Sequence, residues 1–425
     1  MIGVLMLAYI LSFIDRMIFG LLIGPIRQEF SINDTVFSLL YGWGFALFYT
    51  VLGIPLGRAA DRWNRRNLAA AGVALWSLMT IACGLARSFV ELAIARLGVG
   101  VGEASLSPAA YSMAGDSFPP QRLGRALSVF VVGWPLGIGL ALIIGSIVVQ
   151  YVTANPAFHW PLLGHLKAWQ ACFVIVGLPG VLVAFLVLAL REPARRESAA
   201  AHDSSLKDTL RHLRIHWRAY TSLTLGFAML SIVMNTYQLW GVQYLVRLHG
   251  LPLAAAGLQV GSVIAVFGTL GVVAGGWYHD RLQARHCPEA ALQVGLIAAA
   301  AMLPFTLAST LVDAASLSVL LMAPIGFFAS FGFGASGAAI VLITPSRMRA
   351  TASAIYLFFL NALAMGMGPL LTARLNDAVF EDDLAVGKSV CIVASAAAAV
   401  AVGLFRWGIP HFRKATHPLD SGGIL

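Results

Sequence analysis

Three ionisable residues stand where apolar sequence should exclude them. Asp15 and Arg16 lie side by side in the middle of the first apolar stretch, Met1 to Gly24, and Glu103 lies at the centre of the fourth. A charge at the centre of a lipid-spanning segment costs about 2.5 to 3.5 kcal/mol on insertion scales, so such positions point to function. Two carboxylates beside an arginine can carry protons, because the ionisation of a buried carboxylate depends on whether water or a cation accompanies it. Asp15 and Glu103 are therefore the candidate proton-coupling groups, with Arg16 as counter-charge or anion anchor. The competing reading is a permanent ion pair that fixes two helices. Successive helix positions differ by about 100° in direction, so one of Asp15 and Arg16 braces while the other faces the cavity. Arg96, seven residues before Glu103 and on the same helical face, is a second anion contact or a support for the first helix.

The elements that position these groups follow from composition. The chain is 59% hydrophobic and 11% charged over 425 residues, far from the soluble average and typical of an integral membrane protein. The net charge of +9 does not indicate nucleic acid, because the bases are dispersed among short loops and not clustered on one soluble face. Twelve stretches are long enough to span, at 1–24, 35–57, 67–86, 88–114, 122–150, 168–191, 219–246, 254–277, 289–310, 314–342, 349–374 and 386–408. The first is too long for a signal-peptide core and has no basic region before it, so it reads as a span and not as a cleaved signal. Most of the 28 lysines and arginines fall on one side if the N-terminus is cytoplasmic, which predicts an inner-membrane protein with both termini inside.

The longest inner connection divides the spans six and six: an N-terminal bundle over 1–191, a cytoplasmic linker over 192–218, and a C-terminal bundle with a short tail over 219–425. Within the linker, Leu206, Leu210, Leu213 and Trp217 recur at helical spacing beside Lys207, Arg211, Arg214 and Arg218. This is an amphipathic basic helix, suited to anionic inner-leaflet lipid or to a solvated linker. The halves repeat each other. Gly57 to Arg66 follows the second span, and Gly276 to Arg281, with Arg285, follows the eighth; Pro120-Gln121-Arg122 opens the fifth span, and Pro345-Ser346-Arg347 opens the eleventh. Parallel six-helix repeats place a substrate site at their interface near the midplane.

On these residues the chain resembles the major facilitator superfamily. Gly57, Asp61, Arg62, Arg65 and Arg66 match that family's loop signature, and Arg96 to Glu103 resembles its fourth-helix motif. The Asp15-Arg16 pair followed by Gly20, the phrase Gly100-Val101-Gly102-Glu103-Ala104 and the run Pro108 to Pro120 are similar to the Spinster-like branch, whose members move lysolipids and sphingoid phosphates; bacterial relatives with related motifs carry organic acids. The resemblance implies an all-α fold of twelve transmembrane helices in two pseudo-symmetric six-helix bundles, with the first, fourth, seventh and tenth helices lining the cavity. It also implies a cytoplasmic latch of Gly57, Asp61, Arg62, Arg65 and Asp116, repeated in Asp280 and Arg281, that holds the inner side shut in the outward-facing state. The alternative is that these bases only enforce topology.

Substrate contacts are expected from Arg16, Arg96, Tyr41, Ser107 and Tyr111 on a charged wall, and from Asn235, Tyr237, Gln238, Phe331 and Asn361 on an apolar-aromatic wall with amide groups. Such a cavity suits an amphiphilic anion, and an aromatic or sugar acid fits the same walls. The run Gly133 to Gly139 with Pro135 reads as a bend and close-packing site. The four cysteines are scattered without disulfide or metal spacing, no phosphate-binding loop is present, and His279 reads as a surface-loop residue. The expectation is a monomeric carrier, not an enzyme, that has no cofactor or metal and whose partners are its substrate, protons and membrane lipid. The rival class is a membrane-embedded lipid-modifying enzyme using Asp15, Glu103 and Ser107 or Tyr111, and a channel is a third.

Overall fold

A computed structural model describes residues 1–118, 120–155, 159–160, 164–194, 206–345 and 348–420, without the side chains at 54, 58, 61–62, 120–128, 131, 159–160, 164–165, 206, 334, 338, 341, 350, 354 and 417–420. At membrane depth an apolar run must satisfy its backbone groups internally, which a helix does. The helices in order are α1 (Ile2–Leu21), α2 (Ile23–Phe30), α3 (Asp34–Ser38), α4 (Phe45–Arg62), α5 (Arg65–Leu85), α6 (Phe89–Glu103), α7 (Leu106–Ser117), α8 (Pro120–Ala154), α9 (Ala168–Leu188), α10 (Leu206–Ile215), α11 (Trp217–His249), α12 (Leu253–Val263), α13 (Thr269–Ala284), α14 (Ala290–Ala308), α15 (Ala315–Phe331), α16 (Phe333–Ile343), α17 (Arg349–Arg374) and α18 (Val386–Asp420). π-helical turns at Leu39–Gly44 and Ile264–Gly268 join α3 to α4 and α12 to α13, and a third at Leu375–Phe380 continues α17. In the loop between α8 and α9, β1 (His159–Trp160) pairs antiparallel with β2 (Gly164–His165).

Among the described residues, ten helical segments are long and apolar enough to cross a membrane. They match ten of the expected spans, and the two that fall short are instructive. The fourth is broken into α6 and α7 at Ala104–Ser105: three glycines in its last turns weaken the helix, and the Ser105 hydroxyl donates to the Gly102 carbonyl at 2.8 Å. The seventh, α11, is 33 residues long but carries Asn235, Thr236, Gln238 and Gln243 in its second half. The amphipathic segment of the linker is helical, as α10.

The chain divides into two compact units, one of Met1–Glu197, Leu239–Ala265 and Ala373–Val386, the other of Ser198–Gln238, Val266–Thr372 and Gly387–Leu425. Lipid tails are as apolar as the helix surfaces, so helices associate through close contact at small residues. In the first unit Gly133, Gly137 and Gly145 of α8, which runs on through Pro135, seat α1 through Tyr9, Phe13 and Leu21. A side chain on Gly102 of α6 would come within 2.7 Å of the Trp76 nitrogen and 2.8 Å of the Gly72 carbonyl on α5. In the second unit Phe405 of α18 fills the space between Gly226 of α11 and Gly295 of α14, and Gly271 and Gly275 of α13 lie against backbone carbonyls of Phe327 and Phe331.

Candidate functional site: a buried charge cluster on α1 and α6

Arg16 of α1 donates through Nη2 to Oε2 of Glu103, 87 residues away on α6, and the Glu103 side chain is 2% exposed against 13% for Arg16. Asp15 is buried and lies beside Trp76 and Thr80 of α5. The two neighbours thus diverge as helix geometry requires, with Asp15 turned to α5 and Arg16 to α6. Arg96, one of the largest fully buried side chains, donates from Nη1 to the Asp15 carbonyl at 3.4 Å. This contact links α6 to α1.

Aromatic rings wall the cluster. The Arg16 guanidinium stands 4.4 Å from the Phe45 ring centre, 5.0 Å from Phe13 and 5.7 Å from Tyr49. Arg96 stands 4.8 Å from Phe19 and 5.0 Å from the same Phe45. Each such contact contributes about 0.5–2 kcal/mol when desolvated, in place of the water a cation would otherwise require. Phe45 follows the π-helical turn that also carries Tyr41, whose hydroxyl meets the Met17 sulfur at 3.8 Å and which interacts with Arg96 and Arg16. Ser107 hydrogen-bonds Tyr49. Tyr111 packs edge-on against Phe130 at 5.6 Å, and Tyr9 stacks on the same ring at 4.7 Å. Of the predicted residues, Tyr41 lies beside the arginines and Ser107 beside Tyr49, while Tyr111 lies farther out against Phe130 and is 45% exposed. Tyr9, Phe13, Phe19, Phe45, Tyr49, Trp76 and Thr80 join them unforeseen, because an aromatic or threonine in a span reads equally well as packing.

Most buried polar atoms in proteins are hydrogen-bonded. Here Oε1 of Glu103, Nε of Arg16, and Nε and Nη2 of Arg96 have no hydrogen-bond partner among the described residues. The cluster thus has three open guanidinium donors and one open carboxylate oxygen among the described residues.

The residues expected on the second wall have other engagements. Asn235 turns its amide back to the Ser231 carbonyl at 2.8 Å, and the Tyr237 hydroxyl pairs with Ser309 at 2.7 Å. Gln238 is buried and Asn361 half-buried. Phe331 packs among Tyr278, Phe327 and Phe328 at 6.0, 5.7 and 6.1 Å.

Of the residues expected in a latch, Arg65 is buried at the start of α5. It bonds Asp116 Oδ2, the Ser112 hydroxyl at 3.1 Å, Glu192 Oε1 at 2.8 Å and the Pro193 carbonyl at 2.7 Å. Glu192, placed by the sequence reading at the edge of the linker, also accepts from the backbone N–H of Arg66 at 2.8 Å. Burial raises this carboxyl, but the bonds from Arg65 and Arg66 outweigh it and leave the pKa below the ordinary value. Gly57 lies on α4 with open space at its Cα, and the side chains of Asp61 and Arg62 lie outside the described residues. In the second unit the Asp280 side chain is 86% exposed with His279 Nδ1 at 3.5 Å, and Arg281 stands over Trp277. His279 is buried in α13 and is not a surface-loop residue.

A second ionic cluster in the first unit was not foreseen. Asp34, the first residue of α3 and fully buried, takes Arg247 in a two-pronged contact at 2.8 and 3.1 Å and Arg27 at 2.9 Å. Asp383 meets Arg27 at 3.2 Å, and Asp377 accepts from the N–H and hydroxyl of Thr35, both at 2.6 Å.

The family model described as Major Facilitator Superfamily matches residues 5–369. The chain belongs to the major facilitator superfamily. It is 29% identical to an MFS-type efflux pump of Mycolicibacterium smegmatis over 93% of this chain and 89% of that one. It is 24% identical to Protein spinster of Drosophila melanogaster over 89% of this chain and 62% of that one, and 27% identical to a sphingosine-1-phosphate transporter of Danio rerio over 64% and 55%. Among solved structures, a bacterial homolog of the human lysosomal transporter Spinster, inward-facing and unoccupied, superposes with a TM-score of 0.76 at 24% identity over 98% of this chain and 96% of that one. The Spinster resemblance of the motifs is borne out, and the family is one of transporters, not enzymes.

Proposed function

We propose that this transporter works by alternating access and couples protons to the movement of an amphiphilic anion such as a lysophospholipid or a sphingoid phosphate. Glu103 and Asp15 carry the protons, and Arg16 anchors the anion. One observation carries the reading: the Arg16–Glu103 pair is enclosed by aromatic rings, yet each partner keeps an unfilled hydrogen-bonding position. A pair kept only for packing gains from having those positions satisfied. With all four groups ionised, Asp15, Arg16, Arg96 and Glu103 sum to zero. An anion that takes Arg16 adds a negative charge, and a proton on Glu103 restores neutrality. Each ligand then favours the other by the same factor.

The ring faces of Phe13, Phe45 and Tyr49 around the anchor suit a substrate with an apolar part, and the named activity of the Danio rerio relative supports a lipid phosphate. Two six-helix bundles, 1–191 and 219–425, rock about the linker 192–218, with the Arg65–Asp116–Glu192 junction released on the cytoplasmic side. The dispersed inner-loop bases support an inner-membrane location with both termini cytoplasmic. The test is uptake into proteoliposomes of a lysophospholipid panel and an organic-acid panel, with and without a pH gradient. Gradient-stimulated uptake of the amphiphiles supports the reading, and uptake of organic acids alone assigns the carrier to the small-acid class.

A further inference from the structure

A cavity of about 290 Å³ opens within the second unit, formed by Leu213 of α10, Trp217, Tyr220 and Thr224 of α11, and Tyr356 and Phe359 of α17, with other apolar neighbours. Its walls are almost wholly apolar. Tyr356 is 4% exposed, with its hydroxyl beside Ser336. None of these side chains belongs to the charged cluster.

The mouth is basic. Arg211, Arg214 and Arg218 are exposed on the same stretch that supplies Leu213 and Trp217, with Asp208 an acid near its start. The Arg218 guanidinium stands 5.5 Å from the centre of the Trp217 ring, itself a wall of the cavity. Trp217 and Trp407 are 49% and 38% exposed with ring centres 5.9 Å apart; Trp407 packs on His411, which interacts with Arg218 and Lys414. Half-exposed tryptophans beside arginines and lysines mark the headgroup level of a membrane. A free anion would gain nothing from the apolar cavity, and a neutral lipid nothing from the arginines.

We propose that this cavity receives an acyl chain of an anionic membrane phospholipid whose phosphate is held by Arg214 and Arg218, and that the bound lipid ties α10 to α11 and α17. This site goes beyond the transport reading and stands without it. The experiment is native mass spectrometry of the full chain in mild detergent, titrated with phosphatidylglycerol, phosphatidylcholine or glycerol 3-phosphate, with melting temperature read in parallel. Phosphatidylglycerol is expected to be retained and to raise the melting temperature. The double variant Arg214→Gln/Arg218→Gln is expected to lose about fivefold in that retention per charge removed. Thr224→Phe, which fills the cavity, should lose both phospholipids. Leu213→Ser, on a helix outside the transmembrane core, should weaken both and guards against a fold defect in Thr224→Phe. Equal retention of the two phospholipids by the wild type, retention unchanged in all variants, or displacement by glycerol 3-phosphate as effective as by phosphatidylglycerol overturns the proposal.

Discussion

Two clusters in the first unit use the same residue types to different ends. Around Asp34, both carboxylate oxygens are taken by Arg247 and Arg27, and the forked geometry fits a guanidinium to a carboxylate. Around Glu103, one carboxylate oxygen and three guanidinium nitrogens are unclaimed among the described residues, and aromatic faces stand beside them. A filled cluster holds helices in place. An unfilled one in a dry setting has room for a ligand and a proton, so the number of unclaimed atoms, and not the count of charges, separates a clasp from a switch.

The largest expected effect is on the clasp. Asp34→Ala leaves the half-buried Arg247 and Arg27 with only the exposed Asp383 to meet and should cost about 3 kcal/mol, the lower end of the penalty for removing one partner of a buried pair, read as a fall in melting temperature. Unchanged melting would erase the distinction drawn here. Arg16→Met and Glu103→Leu should each cost a similar amount singly, but the double variant should return near wild-type stability, because an apolar pair of similar volume replaces a buried ion pair at little cost. The matching double at the clasp, Asp34→Leu with Arg247→Met, should recover less, since Arg27 loses the buried Asp34 and keeps only the exposed Asp383. Equal recovery at both sites would show that the two clusters are alike.

Glu192→Gln should cost about 1–3 kcal/mol through the bonds lost from Arg65 and Arg66. Because the folded carboxyl sits below its ordinary value, its stabilisation is present above about pH 4.3 and disappears as pH falls through the lowered folded pKa. Wild type and variant should therefore differ at neutral pH and converge in acid; a gap that persists at low pH contradicts this assignment. The smallest effect is Tyr49→Phe, which removes the bond with Ser107 while keeping the ring over Arg16, and should cost under about 1 kcal/mol with transport retained.

Much of this was legible in the chain itself. Asp15, Arg16 and Glu103 announced themselves as charges in apolar runs, and Arg96 followed by helical spacing. Long-range pairing was not legible. Arg247 and Asp34 are 213 residues apart, each an ordinary polar residue near the end of an apolar run, and Glu192 lay beyond the last apolar residue of its helix. The rings of Phe13, Phe45 and Tyr49 carried no mark, since an aromatic side chain in a span faces lipid, core or cavity with equal ease. The glycines before Glu103 read as packing, which they are, but the helix end they cause at Ala104 needed the Ser105 hydroxyl bond to be seen.

The central claim is that Glu103 is a proton-carrying partner of Arg16 and not a fixed strut. It is tested most directly by comparing wild type and Glu103→Gln in proteoliposomes for gradient-driven accumulation and for counterflow of labelled substrate without a gradient. The account predicts that counterflow survives in the variant while accumulation under a pH gradient is lost. Accumulation equal to wild type in the variant would contradict it.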